Sequence, residues 1–317
     1  MDRPRIGLLA VRAFLFAVCL LAWCLSARAQ PADSHFQFDV GIGHESQSSP
    51  VFQISPEGNI LYLDGSQGLR GTHVRTSLQG SANWNWDEGV TTSLSADATI
   101  KRAPDTPDMD FSSLSLQPSV HMPWGSGSVG AGINLLSYDV GGRHFRDSAG
   151  LQVDWTHSDG TGLWAVIAEA SAYRHASQFA EMDAVATSVV VLRQFTDPLP
   201  GVDGLDFSAM VGKEVNDHGY LDLSSRSAML HASVRWAWLG AEWSLGQGWR
   251  EAVFEDTLFP NEPVRADHTV MTDLAAQWPL SDKHAIRVEY NQTRNTSSTR
   301  LFDNSYEQLS VTFRSTW

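Results

Sequence analysis

A two-residue alternation of apolar and polar side chains runs through most of the chain, and it constrains the fold more than any other feature. In "YEQLSVTFRSTW", Leu309, Val311, Phe313 and Trp317 share one parity, while Gln308, Ser310, Thr312 and Arg314 share the other. A period of two is the period of a β-strand, whose successive side chains point to opposite faces. "HFQFDVGI" sets Phe36, Phe38, Val40 and Ile42 against His35, Gln37 and Asp39. "TTSLSADATIK" and "AMLHASVRWAW" divide the same way, and about fourteen such segments follow one another. Each is roughly 9–12 residues long, the length a tilted strand needs to cross a bilayer. The register is ambiguous in the seventh and eighth, "GLWAVIAEASAYRH" and "AVATSVVVLRQF", where small and β-branched residues fill both faces. In "GAEWSLGQGW", Gln247 breaks the pattern from the apolar side, and its position near the end of that segment predicts a side chain that reaches the interface.

The polar parity decides what the alternation means. It carries Arg75, Asp97, Lys101, Arg235, Glu242, Arg250, Asp273, Arg287 and Glu289. A dry sandwich core would bury these charges at a large cost. A wet lumen with lipid on the other face accommodates all of them. The expected fold is therefore all-β: a transmembrane antiparallel β-barrel of about fourteen strands, of outer-membrane type. Its lumen charges either set the field in a conduit or cross-link the wall.

The beginning of the chain agrees. "MDRPRIGLLAVRAFLFAVCLLAWCLSARAQ" has a basic start, an apolar run and an "ARA" before Gln30, which predicts a signal peptide over 1–29 and a single barrel over 30–317. Both cysteines, Cys19 and Cys24, fall inside the predicted signal, so no disulfide or thiolate site is expected after cleavage. Residues 30–317 hold 18 basic and 35 acidic side chains, a formal charge of −17, which disfavours nucleic acid as a partner. The location this predicts is the outer membrane of a Gram-negative bacterium, with both termini periplasmic.

Connections offer a separate expectation. The even ones, such as "WDEGV", "PWGSGS", "SDGTG" and "WLG", are tight; "TDPLPGVDG" is longer. The odd ones, at 47–72, 102–109, 139–147, 176–183, 216–225, 252–266 and 295–304, are longer and polar, as external loops should be. The final strand must pair with the first, leaving no unsatisfied edge in hydrocarbon. Its outward residues Leu309, Val311, Phe313 and Trp317 have the pattern of a terminal signal read by barrel assembly machinery.

Residues 249–317 resemble the C-terminal barrel of the surface lipoprotein assembly modifier family. The similarity lies in Arg294, Asn295 and Ser297, then Leu301, Phe302, Asp303 and Asn304, before the last strand. The resemblance implies a fourteen-stranded barrel and a role in surface display. Members that move lipoproteins carry helical repeats before the barrel, and the stretch between Gln30 and about His35 has no room for them. Export would then require a separate periplasmic repeat protein and a secreted or lipidated client. The readings in order are a pore or channel of unknown substrate, such an export barrel, and a structural or adhesion barrel.

An outer-membrane enzyme stands last. His231 and Ser233 share a face, a pairing that any wet barrel contains by chance, and no zinc, P-loop or dinucleotide motif occurs. No catalytic residue, metal or cofactor is expected, and the partners expected are outer-membrane lipids and the assembly machinery.

Overall fold

The computed structural model describes residues 33–54, 60–257 and 263–317. Fourteen strands lie among them. They are β1 (Asp33–Ile54), β2 (Ile60–Asn85), β3 (Thr91–Arg102), β4 (Phe111–Trp124), β5 (Gly127–Val140), β6 (Arg143–Ser158) and β7 (Gly162–His175). The second half comprises β8 (Ala184–Leu199), β9 (Val202–Asn216), β10 (Ser225–Trp238), β11 (Ala241–Phe254), β12 (Ala266–Ser281), β13 (His284–Ser297) and β14 (Asn304–Thr316). Each pairs antiparallel with its sequence neighbours, and β14 pairs with β1, closing the barrel.

Closure matters because every backbone N–H and C=O in hydrocarbon needs a partner, and a closed ladder supplies one at each position. Side chains sort by the same register. Leu78, Leu151, Val211, Leu230 and Phe313 point outward and are exposed, whereas the buried apolar residues among those described are nearly all alanines. A fold with most of its large apolar side chains outside and a largely polar inward face is a transmembrane β-barrel of outer-membrane type, covered by lipid.

The two ends differ. Tight connections of two to five residues join β2–β3, β4–β5, β6–β7, β8–β9, β10–β11 and β12–β13, and Trp317 lies at this same end. Loops join most strands at the other. Short turns mark the periplasmic side of such barrels and longer loops the outside.

Several expectations are corrected. Strands run from 12 to 26 residues, longer than the alternation predicts. The segment 47–72 is largely a hairpin rather than a loop: Gln47 pairs with Leu69, and the ladder continues to Ile54 and Ile60. The segment 139–147 reduces to a two-residue turn at Gly141 and Gly142, with φ of 57° and 71°. That left-handed pair is what a tight hairpin turn demands, and glycine adopts it without strain. The β8–β9 connection is also a two-residue turn, after a register shift between Thr196 and Leu199. Gln247 lies at the centre of β11, not near its end, because that strand continues to Phe254.

Candidate functional site

Among the described residues, the inward face of the barrel gathers polar side chains on a shared surface. Cross-strand register puts Arg75, Asp97, Lys101, Arg235, Glu242, Arg250, Asp273, Arg287 and Glu289 on the inward parity. Their surroundings differ.

Lys101 belongs to a network of four strands. Its Nζ lies 2.7 and 2.8 Å from the two carboxylate oxygens of Glu45, and the Tyr306 hydroxyl donates to the same carboxylate at 2.8 Å. His73 Nδ1 stands 3.8 Å from Glu45, and Gln308 Nε2 lies 3.1 Å from His73 Nε2. The glutamine amide can only donate there, so Nε2 accepts and Nδ1 carries the proton that faces Glu45. Glu45 and His73 are 0% and 1% exposed. The network joins β1, β2, β3 and β14, and so spans the seam between the first and last strands.

A second contact spans the seam nearer the periplasmic end. Arg314 holds Asp39 through two hydrogen bonds of 3.0 and 2.9 Å and donates a third, 3.0 Å long, to Gln277. A forked guanidinium–carboxylate pair of this type is among the stronger polar contacts. Asp39 and Arg314 stand on the polar parity of the sequence, whereas Glu45 lies outside the alternation. Glu45 lies beyond Ile42, the last apolar residue of the alternation in β1.

The other charges lie along the wall. Arg287 donates to Glu289 at 3.1 Å, Arg235 is 3.6 Å from Asp206, and His231 is 3.5 Å from Asp273. Glycines make room for two of them. A Cβ on Gly204 would meet the Arg235 guanidinium at 2.5 Å, and one on Gly246 would meet the Asp273 carboxylate at 2.3 Å. Both charged groups therefore lie against a neighbouring strand instead of projecting across the bore.

Beside β2 to β7 the lumen opens into a cavity of about 560 Å³ lined by Gln79, Asp97, Gln117, Asn134, Gln152 and Glu169, among others. Gln117 and Asn134 each donate to Gln152 at 3.2 Å. Above it, Arg75, Lys101, Tyr306 and Gln308 line a cavity of about 420 Å³ beneath residues 108–110. Arg250 lines a smaller one of about 190 Å³. Glu242 sits next to the tight β10–β11 turn. No cluster of three or more His, Cys, Asp or Glu suited to a metal occurs among the described residues. The arrangement offers solvation and charge to a passing solute.

No family model matches the chain, and neither does any curated protein. Solved structures do. The anion-selective porin from Comamonas acidovorans is 11% identical, with 90% of this chain and 100% of that one covered and a TM-score of 0.45. Pseudomonas aeruginosa OpdK with vanillate is 9% identical, with 90% and 99% covered and a TM-score of 0.47. A loop-deletion variant of OmpT from Vibrio cholerae is 8% identical, with 90% and 100% covered and a TM-score of 0.47. Nothing about solute or selectivity passes from them to this chain.

The remaining predicted positions take structural places. Leu309, Val311, Phe313 and Trp317 face outward. The family-like residues frame the last external loop. Asn295 Nδ2 donates to the Phe302 carbonyl at 2.8 Å, and Asn304 Nδ2 donates to it at 3.0 Å. Asp303 accepts from the Ser297 amide at 2.7 Å, while the Arg265 guanidinium sits 3.4 Å from the centre of the Phe302 ring. Leu301 lies in the short helical turn Arg300–Phe302, and Arg294 faces outward near the loop end of β13.

At the periplasmic rim, register resolves the ambiguous eighth strand and puts Arg193 on the outward parity, opposite Trp164. Its guanidinium lies 4.4 Å from the Phe195 ring centre and 2.9 Å from Asp159 in the β6–β7 turn. The hydrogen bond from Thr161 and that from Arg193 hold the Asp159 carboxyl well below the usual carboxylate range.

Proposed function

We propose that this chain is a pore of the outer membrane, passing small polar solutes through its lumen. The observation that carries the reading is the 560 Å³ cavity, lined by both polar and apolar side chains, inside a barrel in which Arg235 and Asp273 lie against neighbouring strands. A conduit needs water and fixed charge along its wall. The test is purified protein in a planar bilayer: steady conductance is expected, with a cation preference that falls in Asp97→Asn and Asp273→Asn. A silent bilayer under all conditions would overturn it.

In this reading residues 1–29 are a signal peptide, and Leu309, Val311, Phe313 and Trp317 are read by the assembly machinery. A second reading has one observation behind it. The family-like residues build a specific external loop through side-chain hydrogen bonds, a feature a surface-display barrel could share. That reading requires a periplasmic repeat protein and a client. Deleting this gene should then remove the client from the surface while leaving it in the cell. Unchanged display would end it.

A further inference from the structure

Gln247 sits at the centre of β11 on the face that meets hydrocarbon. Its outward neighbours along the strand are Leu245 and Trp249, both exposed, and across the ladder it is opposite Ala232 and Thr272. Carboxamides are unfavourable at this depth unless their donors and acceptors are used. This one is half-used. Nε2 donates to the Met271 carbonyl at 2.7 Å, and Oε1 accepts from the Thr272 hydroxyl at 3.1 Å. One N–H and one lone pair remain, and acyl chains can satisfy neither.

We infer that Gln247 marks an interface with a second copy of this chain, formed by the outward face of β10 to β12. The carboxamide selects the occupant, because it is self-complementary. Two amides facing each other across a two-fold axis satisfy each other's remaining donor and acceptor, the isologous contact that such symmetry produces. Contact across helices in membranes uses the same logic: small residues allow close approach and a polar side chain supplies the bond. Ala232 and Thr272 leave the centre of the patch low, while Leu230, Leu245 and Trp249 surround it with apolar surface.

The experiment is thiol cross-linking in native membranes, on protein shown to be folded by its heat-modifiable gel mobility. Ala232→Cys tests the patch, and Ala209→Cys on the outward face of β9 is the control. A dimer band is expected for Ala232→Cys only, and it should be lost when Gln247→Leu is added while the fold is retained. No dimer from Ala232→Cys, equal dimer from the control, or dimer that survives Gln247→Leu would each overturn the inference. Gln247→Asn is the conservative check. It keeps an amide on the axis and should retain part of the dimer, and complete loss equal to that of Gln247→Leu would count against the paired-amide contact.

Discussion

Phe36 and Trp317 exchange two backbone hydrogen bonds, 3.0 Å from the Phe36 amide to the Trp317 carbonyl and 2.9 Å in the reverse direction. They are the outermost pair of the β1–β14 ladder at the periplasmic end. Deleting Trp317 should leave that end of the seam unpaired. Changing Phe313 and Trp317 to Lys should cost up to about 2–4 kcal/mol per charge placed deep in the lipid, and less near the interface. The expected outcome is loss of the compact, heat-modifiable species from outer-membrane fractions. Undiminished folded protein would show that the closing pair is dispensable.

The Glu45 network gives a prediction with an internal control. Glu45→Gln leaves the Lys101 ammonium without its counter-charge, and removing one partner of a buried pair costs about 3–5 kcal/mol. Water in the lumen should reduce that figure. Adding Lys101→Met to Glu45→Gln should recover part of the loss, since an apolar side chain needs no partner. Thermal melts in detergent measure both, and a double variant no more stable than Glu45→Gln would count against the pairing.

Asp159 predicts a pH dependence with a definite sign. Its folded carboxyl is held below the usual range by Thr161 and Arg193. A depressed folded value contributes stability that is full above the unfolded carboxylate value, about pH 4, and is lost as pH falls further. Asp159→Asn should therefore melt lower than the parent at pH 7, with the gap narrowing as pH falls below about 4. A gap that stays constant with pH would contradict the assignment.

Gly246→Ala should act on conduction more than on folding. Its Cβ would lie 2.3 Å from an Asp273 carboxylate oxygen, the mobile end of a side chain that can swing into the lumen. Overpacking against rigid neighbours typically costs about 1–3 kcal/mol, and a movable partner should keep the loss at the low end. Reduced single-channel conductance with near-normal assembly is expected, and unchanged conductance would be the contrary result.

Strand number and pairing order could be read from the chain because lipid imposes a strict alternation wherever strands meet it. The misses fall where that pressure is absent. Beyond Ile42 and before Val74 the sequence has no continuous apolar face, so the outer parts of strands of 22 and 26 residues looked like loop. Arg193 was hidden because Val190 and Leu192 put apolar side chains on the inward face of β8, erasing the contrast. Glu45 and Tyr306 lie 261 residues apart, and no local pattern reports a contact made only by closure. Gln247 was displaced for a related reason: the polar residues after Trp249 looked like the end of a strand that in fact continues.

Arg235 and Asp273 rest over Gly204 and Gly246, so the calibre of the bore, whose scale the strand number sets, is trimmed further on the inner surface of the strands. Replacing one such glycine would tilt a charge towards the axis and leave the hydrocarbon face, the register and the seam untouched. What the barrel admits and how it is assembled are therefore separable traits, and descendants of this chain could diverge in the first while conserving the second.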